Sequence, residues 1–213
     1  MLKRGLYLVT PDWNDTEALL EALRILLPEA PAVVQYRNKL AAPAHKATQA
    51  RALLAPCRAA GIPLLINDDL DLALAIDADG VHLGRDDGDL VRARRMLGPR
   101  RILGVSCYGE WARAEAGVAA GADYVAFGAL FPSPTKPQAP RATPDLLTRA
   151  KAGLGVPVAA IGGITLDNAP ALIAAGADLL AVISDVFSAP GPAARAAAYR
   201  ELFASASQDL SAP

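Results

Sequence analysis

The chain has 213 residues, 53% hydrophobic and 20% charged, so it carries material for a sizeable core and is not globally disordered. Lys+Arg 21 against Asp+Glu 22 gives a formal net charge of -1, which argues against a general nucleic-acid binder, because such proteins carry a basic excess or a basic stripe. The apolar runs fall short of the ~18 residues a membrane span needs, and Cys57 and Cys107 form neither a CxxC pair nor a disulfide framework, which fits a reducing cytosol.

The chain opens MLKRGLYLVTPDW, where Pro11 and Asp12 arrive too soon for a secretory apolar region, so the start reads as mature protein. From there one pattern repeats to the end: a short aliphatic or β-branched run, then an Ala/Leu-rich amphipathic stretch. The runs predict strands at 5–10, 32–37, 63–68, 80–84, 102–106, 124–130, 157–163 and 179–184. The stretches between and after them predict helices at 16–27, 44–60, 70–76, 90–97, 111–120, 145–154, 168–175 and 193–204. Near-continuous apolar strands mark a parallel sheet buried on both faces, and strands alternating with helices at this spacing are βα units. An open doubly wound sheet can hold eight strands, but eight consecutive units usually close into an α/β (β/α)8 TIM barrel, which is the expected fold. The turns agree: Ala-Gly-Ala-Asp occurs at 120–123 and 175–178 and Asp-Ala-Asp-Gly at 77–80, each glycine suiting the positive φ that ends a helix before a strand. A barrel over 1–204 leaves no room for a second domain, and the small, polar residues 205–213 read as a flexible tail. Residues 131–144 (FPSPTKPQAPRATP) break the rhythm with five prolines in a connection far longer than usual, on the C-terminal face where barrel active sites sit.

Polar residues at the strand C-termini are the informative set. Gln35, Arg37 and Lys39 leave the second strand with a period of two, so they share one face, the lumen side if Val33 faces outward; two buried cations there call for an anionic ligand. Past the rim the same pair would simply be solvated. Asp68 and Asp87 end neighbouring strands and can share one hard cation, Mg2+ taking one or two carboxylates plus phosphate oxygens. Asn67-Asp68-Asp69 also reads as a helix cap, and Asp86-Asp87-Gly88 as a turn with a helix start. Gly162-Gly163 and Ser184 follow the last two strands, where this fold commonly binds phosphate; the glycines alone serve equally as a tight turn. Ser106 ends the fifth strand, while Ser133, Thr135 and Lys136 lie in the proline-stiffened loop, which either closes over a polyanion or is a solvated surface loop. Mid-strand His82 reads as a satisfied core histidine, and His45 and Cys107 have no triad partners.

From LYLVT at 6–10 to AVIS at 181–184, the pieces QYRNK at 35–39, IND at 66–68, ADGVHLG at 78–84, GVS at 104–106, GADYVAFG at 121–128, SPTK at 133–136 and AIGGI at 160–164 occur in one order. In that order they resemble the thiamine phosphate synthase (thiamine-phosphate pyrophosphorylase) family. That family joins a hydroxymethylpyrimidine diphosphate to a thiazole phosphate, releasing pyrophosphate and using Mg2+. The resemblance implies that Gln35, Arg37, Lys39, Asn67, Ser106 and Lys136 bind the pyrimidine diphosphate, with Lys136 and Ser106 catalytic. It implies Asp68 and Asp87 as metal ligands, and Ser133, Thr135, Gly163, Ile183 and Ser184 around the thiazole phosphate. Arg85-Asp86 stand where the family often shows Gln-Glu, and Ser133 where Thr is common; neither change removes a metal carboxylate or a hydroxyl.

The chemistry fits those residue types. Breaking a CH2–O bond to pyrophosphate puts negative charge on the leaving group, which cations, Mg2+ and a hydroxyl stabilise, and a closing 131–144 loop would exclude water. A sugar-phosphate epimerase would share the phosphate grip but needs a general base or histidine-held metal, and a thiazole-phosphate-binding paralogue (a tautomerase or regulator) would not need the diphosphate set. The partners expected are the two small-molecule substrates, with no nucleic acid and no membrane, for a cytoplasmic monomer or small homo-oligomer.

Overall fold

Alternation along each strand decides where its side chains go. In the computed structural model, which describes residues 2–132 and 142–209, eight parallel strands pair in sequence order and close on themselves, the last against the first. They are β1 (Gly5–Val9), β2 (Val33–Tyr36), β3 (Leu64–Asn67), β4 (Gly80–Leu83), β5 (Ile102–Tyr108), β6 (Tyr124–Phe127), β7 (Val158–Ile161) and β8 (Leu179–Val182). One parity points into the lumen, where Tyr7, Val9, Val33, Leu65, Tyr124, Ala126, Ala159, Leu179 and Ala181 pack together. The other parity, including Leu8, Val34, Ile66, Leu103, Val125 and Val182, packs outward against the helices. Two buried faces explain why the strands read as nearly continuous apolar runs. Val33 therefore faces inward, not outward as the sequence reading required. Gln35, two residues on, shares its face, so the lumen placement stands for the opposite reason.

The helices form the outer ring: α1 (Thr16–Leu26, followed by a 3-10 turn, Leu27–Glu29), α2 (Pro43–Ala59), α3 (Leu70–Ala75), α4 (Leu90–Leu97), α5 (Trp111–Ala119), α6 (Pro144–Gly153), α7 (Ala169–Ala174), α8 (Ser184–Phe187) and α9 (Pro192–Asp209). Asp15, Asp69 and Asp89 cap α1, α3 and α4, each accepting the backbone N–H three residues on. None of the helices among the described residues is long and apolar enough to cross a membrane.

The repeated Ala-Asp turns do more than end helices. Asp79, Asp123 and Asp178 each reach back across the N-terminal rim and accept the first or second N–H of the preceding strand: Leu64 N at 2.9 Å, Leu103 N at 2.7 Å and Val158 N at 3.0 Å. Backbone groups that would lack a partner at the barrel mouth are thereby satisfied. Gly121 and Gly176 have the positive φ predicted for them (88° and 104°), but in the 77–80 turn that role falls to Asp77 (φ 58°). Gly80 there is the first residue of β4, and a Cβ on it would stand 2.1 Å from the Ile102 carbonyl oxygen.

Two elements depart from the expected pattern. The four-residue helix α8 follows β8 directly and is too short to leave a periodic signal. The last helix runs on to Asp209, into the stretch read as tail, because Ala and Ser spacing does not interrupt a helix even where the apolar face has ended.

Candidate active site

A cavity of about 520 Å3 opens at the C-terminal ends of the strands. Gln35, Arg37, Lys39, Asn67, Asp68, Asp87, Ser106, Gly163, Ile183 and Ser184 all line it, so ten of the residues singled out in the sequence converge on one rim from six strands and their loops. Ser133, Thr135, Lys136 and the rest of 133–141 lie outside the described residues.

The β2 end is held by a partner the sequence reading missed. Asp12, in the loop after β1, accepts from the Arg37 guanidinium at 2.6 Å and from the Lys39 backbone N–H at 2.7 Å. Thr10 completes the splice, its hydroxyl accepting from Arg37 N and donating to Arg37 O, both at 2.9 Å. Lys39 Nζ pairs with Asp68 at 3.1 Å. Both cations already have carboxylate partners, which corrects the inference that their burial by itself demands an anionic ligand. Their fixed placement at the rim is what an incoming polyanion would use.

The two acidic positions are freed by their neighbours. Asp69, not Asp68, caps α3, and Asp89, not Asp87, caps α4. Asp68 takes a left-handed backbone (φ 63°), which a short polar side chain tolerates better than most. Asp87 folds back to accept the Gly84 N–H at 2.7 Å; a Cβ on Gly84 would stand 2.7 Å from that carboxylate, which would have to shift. The carboxyls of Asp68 and Asp87 hydrogen-bond each other. Burial pushes Asp87 up, and the hydrogen bond to Asp68 and its charge push it further, against the Gly84 N–H and Lys39. Burial acts on Asp68 too, but hydrogen bonds from Asp87, Lys39 and Asn67, together with the Lys39 charge, hold it below the usual carboxylate range. Each of two neighbouring carboxyls opposes the other's ionisation, and a divalent cation between them would relieve the repulsion. The donor set is two carboxylates facing an open cavity. It fits Mg2+, which keeps waters and takes phosphate oxygens for its other positions.

Across the cavity, Gly162 (φ 100°) and Gly163 (φ 62°) follow β7. A Cβ on Gly162 would lie 2.7 Å from Ala129 Cα, and one on Gly163 2.5 Å from the Pro132 oxygen, because the segment after β6 runs against them with Phe131 N bonded to Gly162 O at 3.1 Å. Asn168 braces the turn, donating to Gly163 O and accepting from Thr165 N, both at 3.0 Å. More than a tight turn is involved: both close packing and conformation demand glycine there. Ser184 opens α8 on the same side and is exposed.

His82 also reaches the cavity, which the reading of a mid-strand core histidine did not give it. Its Nε2 lies 2.8 Å from Ser106 Oγ and its Nδ1 2.7 Å from the Tyr124 hydroxyl. The alternation Gly80, His82, Gly84 was the available signal, since it puts all three on one face of β4. For Asp12 there was none, because its contact closes across two strands.

Comparison with known proteins adds the family. A model described as thiamine monophosphate synthase matches residues 6–186. The chain belongs to the thiamine monophosphate synthase family. Among the family's members, the thiamine-phosphate synthase of Azoarcus sp. (strain BH72) is 65% identical over 201 residues, covering 94% of this chain and 98% of that one. The enzyme of the same name from Aromatoleum aromaticum is 64% identical over 200 residues, covering 94% and 96%. Among solved structures, thiamine phosphate pyrophosphorylase from Pyrococcus furiosus superposes with a TM-score of 0.84 at 30% identity, over 95% of this chain and 96% of that one.

Proposed function

We propose that the chain condenses 4-amino-2-methyl-5-(diphosphooxymethyl)pyrimidine with 4-methyl-5-(2-phosphooxyethyl)thiazole, giving thiamine phosphate and pyrophosphate. The observation that carries this reading is the meeting, in one cavity of a member of this family, of a cationic and carboxylate set from β2 to β5 with the glycine–serine turn pair after β7 and β8.

The reaction breaks the methylene C–O bond, whose electron pair leaves with pyrophosphate, and forms a C–N bond from the thiazole nitrogen lone pair. Arg37 and Lys39, held by Asp12 and Asp68, face the departing oxygens with the Ser106 hydroxyl, where developing negative charge is largest. Gln35 and Asn67 fix the pyrimidine end. Asp68 and Asp87 would hold Mg2+, which when bound neutralises diphosphate charge. Gly163, Ile183 and Ser184 would seat the thiazole phosphate, setting its nitrogen on the far side of the methylene. Ser133, Thr135 and Lys136 complete the reading from the sequence. Positioning and charge stabilisation supply the catalysis, with no side-chain nucleophile required.

The test is pyrophosphate release from the purified chain, with each component withheld in turn. Release should need both heterocyclic substrates and Mg2+, and thiamine phosphate should form in equal amount. Binding of the thiazole phosphate without pyrophosphate release, at any metal concentration, would refute it in favour of a binding paralogue.

A further inference from the structure

A line of buried polar groups crosses the barrel beneath the cavity floor. Gln35 Nε2 donates to the Tyr7 hydroxyl, Tyr7 and Tyr124 hydroxyls meet at 2.6 Å, Tyr124 meets His82 Nδ1 at 2.7 Å, and His82 Nε2 meets Ser106 Oγ at 2.8 Å. Both ends, Gln35 and Ser106, line the cavity, and so does His82, whereas neither Tyr7 nor Tyr124 is among its lining residues. The donor at one end favours one direction of protons along the chain, the one that leaves no hydroxyl hydrogen without an acceptor. The Tyr7 oxygen accepts from the Gln35 amide, and although either hydroxyl can donate across the contact with Tyr124, every donor is used when Tyr7 donates to Tyr124. In that arrangement Tyr124 donates to His82, whose Nδ1 offers a lone pair. In that tautomer the imidazole carries its hydrogen on Nε2 and donates to Ser106 Oγ. An Oγ that accepts there keeps its own proton to donate, and Ser106 lines the cavity.

We infer that Tyr7 and Tyr124 are positioning residues which, through the tautomer of His82, aim the Ser106 hydroxyl as a donor at the substrate. This rests on the reading of Ser106 as a group that faces the leaving diphosphate. Three further observations support it. The Tyr124 ring stacks on His82 with centroids 5.6 Å apart and meets Tyr7 edge-on at 5.8 Å, so the line is held by packing as well as by hydrogen bonds. Gly104 provides the space: a Cβ there would stand 2.2 Å from Tyr124 Cζ. Burial raises both phenols above their ordinary range, so both hydroxyls keep their protons. A wrong donor orientation in such a chain leaves the reacting group without its proton in the right place, as in catalytic triads whose histidine takes the wrong tautomer.

The experiment has two arms. The first is 15N NMR of the full-length protein, whose two histidines are separated by comparison with His45→Gln. His82 should show a protonated Nε2 and an unprotonated Nδ1. The second arm is steady-state kinetics of Tyr124→Phe, which keeps the stacked ring and removes only the hydroxyl. Its kcat should fall roughly 10–100-fold, with a smaller change in KM for the pyrimidine diphosphate, as for other supporting hydrogen bonds behind a reacting group. In a Ser106→Ala background the same change should have no further effect. A protonated Nδ1 in the wild type would overturn the inference while leaving Ser106 its role. Multiplicative losses in the double variant would overturn it by showing that Tyr124 does not act through Ser106. Full turnover in Ser106→Ala alone would overturn the reading of Ser106 and the inference with it.

Discussion

At the scale of single residues, chemistry turns on which of two adjacent carboxylates does the capping. Asp69 and Asp89 take the helix N-termini and leave Asp68 and Asp87 to each other. Asp87→Ala should lower turnover about 10²–10³-fold with its thermal midpoint little changed, as when a group serving developing charge is removed; kinetics with saturating substrates beside a melting curve checks this. From the sequence reading of its loop, Lys136→Ala should do the same in the same pair of measurements. The cysteines test burial instead. Burial pushes the thiols of Cys57 and Cys107 up to about 12, and both are fully enclosed. The thiolate is the reactive form, so at pH 8 only about one part in 10⁴ is available even before access is counted. A thiol reagent should label neither in the native protein and both in denaturant; fast native labelling would contradict the packing.

At the scale of elements, the two mouths of the barrel do different work. The N-terminal mouth is closed by Asp79, Asp123 and Asp178, of which Asp178 also pairs with Lys151 at 2.7 Å and Arg4 at 3.4 Å. Asp178→Ala strands the buried Val158 N–H and should cost about 1–3 kcal/mol in urea unfolding, while kcat stays near that of the parent. The C-terminal mouth is built from glycines and bends. Gly163→Ala forces a side chain into a left-handed backbone and onto the Pro132 oxygen, so it should raise KM for the thiazole phosphate and cost about 1–3 kcal/mol. The strand–helix alternation was legible from hydrophobic periodicity, and the observed elements lie within a few residues of those predicted. α8 was not legible, because four residues hold only one helical turn. The end of α9 was missed because the apolar stripe stops before the backbone hydrogen bonds do.

At the scale of the whole molecule, the core has two concentric parts, a lumen and a shell between strands and helices. Leu65 is fully buried in the lumen, in one cluster with Tyr7 and Tyr124. Leu65→Ala should cost about 2–5 kcal/mol, measured by denaturant melts, since neighbours held by a closed hydrogen-bonded ring collapse poorly into a void.

The sequence alone determined the eight βα units, the rim that carries the polar residues, the family and ten of the residues that line the cavity, because these depend on local periodicity and on motifs a few residues long. It also placed Asp68 and Asp87 as neighbours, since consecutive strands of a parallel barrel lie side by side. Tertiary structure alone decided the pairings that cross the barrel. Tyr7 and Tyr124, on strands that are not neighbours in the barrel, are 117 positions apart. No spacing in the chain encodes such contacts; they exist only because strand closure brings side chains of one parity to the same level of a shared lumen.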